Sequence, residues 1–123
     1  MMARQITNIL ILITVLGISS CYYDDEETLY PPKECLTIGM SYQTNIAPIL
    51  QRNCYVCHSA AANTANITLE GHASLLQYVS NGQLLGAINH ASGFSPMPQN
   101  APKLIACDIA KIEQWVKDGA PEN

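Results

Sequence analysis

From Tyr42 onward the apolar positions fall at helical intervals. Tyr42, Ile46, Ile49 and Leu50 recur three and four residues apart, which on an α-helix puts them on one face. Pro48 has no amide proton and is tolerated only in a first turn, so a short helix beginning near Thr44 or Asn45 should lead into Cys54. Leu75, Leu76 and Val79 predict a second short helix and Leu84, Leu85 and Ile88 a third, with Asn81-Gly82 as the turn between them. The clearest pattern is the last one. Ile109, Ile112, Trp115 and Val116 form a single stripe, Asp108 is a suitable N-terminal residue, and Gly119 followed by Pro121 is a stop. No stretch alternates with period two and no internal repeat is present, so the expected fold class is all-α. Between the third helix and the last, Ala91 to Lys103 (ASGFSPMPQNAPK) is rich in Gly and Pro. Its length makes it a candidate functional loop.

Toward the N-terminus the pattern changes. Met1 to Ser20 carries one cation, Arg4, then the apolar run Ile9 to Ile18, then small residues that lead to Cys21. That is the layout of a secretory signal peptide. The run is shorter than the roughly 20 residues a spanning helix requires, which makes a permanent transmembrane anchor the weaker reading. Ile18-Ser19-Ser20-Cys21 resembles a bacterial lipobox, which implies cleavage before Cys21 and attachment of lipid to its sulfur; ordinary cleavage leaving an unmodified Cys21 is the alternative. Residues 21–38 then follow with four consecutive acids and a Pro pair, a tether rather than a folded unit. The acidic cluster also resembles the surface-export signals of some Gram-negative lipoproteins. The globular domain is expected over 39–123, which is small for an unaided hydrophobic core and calls for a cross-link or a cofactor.

Charge narrows the partners. The full chain carries a net charge of −4, and removal of residues 1–20 takes away Arg4 and no acid, leaving −5. No Lys/Arg cluster exists anywhere in the sequence, which argues against nucleic-acid binding. Basic proteins remain suitable partners.

The chemistry is concentrated in Cys54-Tyr55-Val56-Cys57-His58, the C-x-x-C-H pattern of c-type haem attachment. Two thiols three positions apart lie on nearly one side of a helical turn and can add to the two vinyl groups of one haem. The following His58 is then held against the iron as proximal ligand, its other ring nitrogen free to donate to a carbonyl. Three other uses of the pair are weaker. A thioredoxin-like dithiol needs a βαβ context, zinc needs a second closely spaced ligand pair, and a disulfide between Cys54 and Cys57 leaves His58 unexplained. Met97, in Ser95-Pro96-Met97-Pro98, is the candidate sixth ligand, since flanking prolines stiffen its backbone and a Met so placed is a poor filler of a helical core. His90 is the rival and would give a bis-imidazole site. His72 is expected to be structural or exposed.

The order of a helix, CYVCH, short helices, SPMP and then LIACDIAKIEQWVKDGAP resembles the small monohaem cytochrome c domains of class I type, in particular the Planctomycete-type domains found in bacterial lipoproteins. The resemblance covers Ser41 to Pro121. It implies a class I cytochrome c fold around one covalent haem c, with His58 and Met97 as axial ligands and the helix Asp108 to Lys117 packed on the helix Thr44 to Asn53. His72 departs from the aromatic or aliphatic residue expected there. The implied function is single-electron transfer between redox proteins of the cell envelope, on a chain anchored to a membrane through lipid at Cys21 and facing the periplasm or cell surface. An electron carrier, not an enzyme, is the expectation. A dihaem peroxidase would need a second C-x-x-C-H, and a haem-based sensor or a subunit of a larger envelope oxidoreductase is the alternative.

Five cysteines, less Cys21 for lipid and Cys54 and Cys57 for haem, leave Cys35 and Cys107. In an oxidising compartment these two are expected to pair, which would tie the start of the domain to its last helix.

Overall fold

The computed structural model describes residues 35–123. The expected signal peptide, the lipidation site at Cys21 and the tether up to Glu34 lie outside the described residues. Five α-helices follow one another: α1 (Ala47–Asn53), α2 (Tyr55–His58), α3 (His72–Ser80), α4 (Gln83–Ile88) and α5 (Ala106–Lys117). A π-helical turn, Tyr42–Ile46, precedes α1, and a 3-10 turn, Thr64–Asn66, lies between α2 and α3. Among the described residues there is no β-strand, in keeping with the all-α reading.

The first helical segment starts at Tyr42, two to three residues before the expected position, and the cause lies in Pro48. Pro48 sits in the first turn of α1 and cannot donate to the carbonyl four residues back. The turn before it is widened into π geometry, so that the Ala47 amide reaches the Tyr42 carbonyl. Ser41 caps this turn reciprocally. Its Oγ accepts from the Thr44 amide at 3.4 Å, while its own amide donates to Asn45 Oδ1 at 2.9 Å.

The last helix also begins earlier than expected. It starts at Ala106, so Asp108 lies inside the first turn and is not the cap. There its carboxylate complements the helix dipole and faces Arg52 at 3.7 Å. The far end is a Schellman motif. Gly119 has φ 93° and donates to the Val116 carbonyl at 3.1 Å, and Ala120 donates to the Trp115 carbonyl at 2.9 Å.

Ile46, Leu50, Leu75, Ile112 and Trp115 are wholly buried and come from the π turn, α1, α3 and α5, so three helices and the turn share one core. The Trp115 indole satisfies its N–H on the Pro121 carbonyl at 3.0 Å. Asn123 closes the chain onto the start of the same core: its carbonyl accepts from the Gln43 amide and the Ser41 hydroxyl, and its Oδ1 from the Tyr42 amide. Cys35 and Cys107 lie at disulfide-bonding distance, their Cα atoms 5.5 Å apart, in the expected pairing. Among the described residues no helix is long and apolar enough to cross a membrane.

Candidate functional site

At Cys54 the backbone leaves helical geometry (φ −125°, ψ −36°), so α1 ends and α2 starts afresh one residue later. The single helical turn Tyr55–His58 packs Tyr55 against the core and keeps His58 buried, while Val56 is 82% exposed and Cys57 is exposed. The Cys57 and His58 amides donate hydrogen bonds to the Cys54 carbonyl at 3.1 and 2.9 Å and close the turn. The two thiols and the imidazole are thereby fixed on one short piece of backbone.

His58 is held twice by the segment that follows. Its carbonyl accepts from the Leu69 amide at 2.8 Å, and its Nδ1 lies 3.2 Å from the Ile67 carbonyl. A carbonyl only accepts, so Nδ1 carries the proton and Nε2 keeps its lone pair. Nε2 has no hydrogen-bond partner among the described residues.

Facing this turn are α4 and the loop after it. The two sides enclose a cleft of about 540 Å³, lined on one side by Cys54, Cys57 and His58 and on the other by Leu84, Phe94 and Met97. This volume falls within the roughly 300–1,000 Å³ usual for cofactor and ligand pockets. The cleft is open to solvent and its lining is mainly apolar, which suits a largely apolar ligand.

The loop is pinned to α4. Ala91 donates to the Gly86 carbonyl at 2.9 Å and Met97 to the Ala87 carbonyl at 3.0 Å. The Phe94 ring lies flat on Gly86, where an added Cβ would come within 2.4 Å of it. Gly86 is thus required by a close approach, which frees the ring to border the cleft. Neither contact was foreseen from the sequence. The usable signal was composition, since Phe94 is the single Phe of the chain and falls in the candidate loop.

The two remaining histidines are occupied elsewhere. His90, the rival ligand, is exposed, does not line the cleft, and places its Nε2 3.0 Å from the Met97 carbonyl. His72 packs edge-on against Tyr42 and Trp115, with Nε2 2.8 Å from the Ala120 carbonyl and Nδ1 3.5 Å from Glu122. It serves the core on the side of α5 and does not border the cleft, in line with the structural role expected for it.

The donor set fits a covalent haem. Cys54 and Cys57 are not bonded to each other, and both line the same cleft as His58 and Met97. An imidazole with a free Nε2 and a thioether, lining one cleft from two separate elements, are an N/S donor set of the kind that can hold haem iron. Other uses fit less well. Burial pushes the Cys54 thiol up to about 11, the opposite of the depressed value a redox-active dithiol needs. Burial likewise raises the phenol of the neighbouring Tyr55, with Tyr42 adding to the effect. Among the described residues no three His, Cys, Asp or Glu side chains converge as a zinc site requires.

No family model, curated protein or solved structure matches the chain, so the reading of this cleft rests on its own residues.

Proposed function

We propose that the protein is a single-haem c-type cytochrome of class I type that carries electrons between redox proteins of the cell envelope, held to a membrane by lipid at Cys21. The observation that carries this reading is the convergence of Cys54, Cys57, His58 and Met97 on one cleft of about 540 Å³. The first three come from the single segment Cys54 to His58; Met97 arrives from the loop after α4.

Each residue has a task. Cys54 and Cys57 supply the thioether sulfurs. His58 offers Nε2 in a ring whose orientation and tautomer the Ile67 carbonyl fixes. Met97 offers its sulfur from a loop anchored on the last turns of α4. Leu84, Ile88 and Phe94 give the cleft an apolar wall. Once bound, haem c supplies one-electron transfer between ferrous and ferric iron. Were His58 and Met97 both to hold the iron, no position would be left open to a substrate, which favours electron carriage over catalysis.

The visible spectrum of the protein exported by a host with a haem-attachment system tests the reading. The expected result is a low-spin c-type spectrum with narrow bands on reduction and resistance to carbon monoxide. Rapid carbon monoxide binding would favour the sensor alternative, and a colourless, folded protein would rule out both.

A further inference from the structure

We propose that His90 is a positioning residue that latches the Met97 backbone to the end of α4 and so holds the Met97 sulfur toward the cleft; the inference rests on the cytochrome reading above. His90 follows Asn89, the residue that caps the C-terminus of α4, and adopts a left-handed conformation, φ 53°. Histidine tolerates that region better than most residues. The reversal brings its imidazole back over the loop, where Nε2 lies 3.0 Å from the Met97 carbonyl. As the partner is a carbonyl, Nε2 carries the proton and donates.

The neighbours of Met97 make this bond matter. Pro96 and Pro98 have no N–H, so across those three residues Met97 supplies the one backbone donor, and it is spent on Ala87 at 3.0 Å. Its carbonyl is spent on His90. Both backbone groups of Met97 are thus tied to one short helix end, while the Phe94 ring, seated on Gly86, fixes the middle of the loop to the same helix. What remains free at Met97 is the side chain itself. His90 does not line the cleft, so it acts through Met97 and not as a ligand.

Competition by an external ligand reads the strength of this latch, because cyanide must displace the Met97 sulfur from ferric iron. Two substitutions separate reach from backbone conformation. His90→Asn keeps a residue suited to the left-handed region, but its amide is too short to replace Nε2; His90→Gln restores a donor at that distance. In the exported, haem-loaded full chain, H90N should bind cyanide roughly fivefold more tightly, the loss of one hydrogen bond's net stabilisation. H90Q should match the unsubstituted protein, and both should retain the far-red sulfur-to-iron absorption that M97A abolishes. The latch is overturned if H90N binds cyanide no more tightly than the unsubstituted protein, or if H90Q changes as much as H90N. Absence of covalent haem from the unsubstituted protein would overturn the cytochrome reading and the latch together, whereas an intact far-red band with an unaltered H90N would overturn the latch alone.

Discussion

Met97 is half-buried, lines the cleft and stands between two prolines, so its thioether can be removed with little effect on the helical core. Met97→Ala should abolish the weak far-red absorption of the ferric protein and open the ferrous iron to carbon monoxide. His90→Ala should keep that absorption, because His90 touches the Met97 carbonyl and not the cleft. The opposite pattern in the two spectra would make His90 the ligand. Gly86 offers a second test at this scale. A Cβ there meets the Phe94 ring at 2.4 Å, and forcing extra atoms into such a contact typically costs about 1–3 kcal/mol. Gly86→Ala should therefore lower stability in urea titrations by that amount, and Gly86→Ala/Phe94→Ala should recover part of what the single changes lose. Strict additivity of the two would mean that the ring does not depend on Gly86.

Among the elements, the disulfide offers the most direct energetic test. Cys35 lies just before the π turn and Cys107 in the first turn of α5, a sequence separation of 72. For a loop of that length chain entropy gives roughly 4 kcal/mol, and measured effects are often smaller. The Cys35→Ser/Cys107→Ser protein should lose about 2–4 kcal/mol in denaturant titrations while keeping its haem spectrum. Two free thiols in the exported, non-reduced protein would contradict the pairing. The helices α3, α4 and α5 were legible in the sequence because Leu75, Leu84, Ile109, Ile112 and Trp115 each fall where helical spacing directs them to one core. Exact starts were less legible. Pro48 announces a first turn but not the π geometry by which the chain enters it, and Asp108 looks like a cap although α5 begins two residues earlier. At the candidate site, CYVCH and SPMP could be read directly, since residue type and spacing are the chemistry. The Ile67 carbonyl behind His58, the Gly86 seat of Phe94 and the His90 bond to Met97 could not, because they depend on how the segments meet in space.

For the molecule as a whole, the helical fold and the cleft carry the proposal, and the proposed lipid anchor carries its location. Cys21 lies outside the described residues, and its role rests on Ile18-Ser19-Ser20-Cys21. The protein should partition into membranes and be released by detergent, whereas Cys21→Ser should leave it soluble or uncleaved. Membrane partition by a cleaved Cys21→Ser protein would point to a different anchor. A domain this small gains much from a filled cleft, since its unaided core buries little surface. The proposed haem should therefore stabilise the fold as well as perform its chemistry. The most direct test of the central claim is haem staining of the exported protein after denaturing electrophoresis, with its intact mass measured alongside. The expected result is a stained band whose mass is that of the cleaved, lipid-bearing chain plus one haem, because thioether bonds at Cys54 and Cys57 survive denaturation where coordination alone does not. An unstained band from a folded, exported chain whose Cys54 and Cys57 remain free thiols would contradict it.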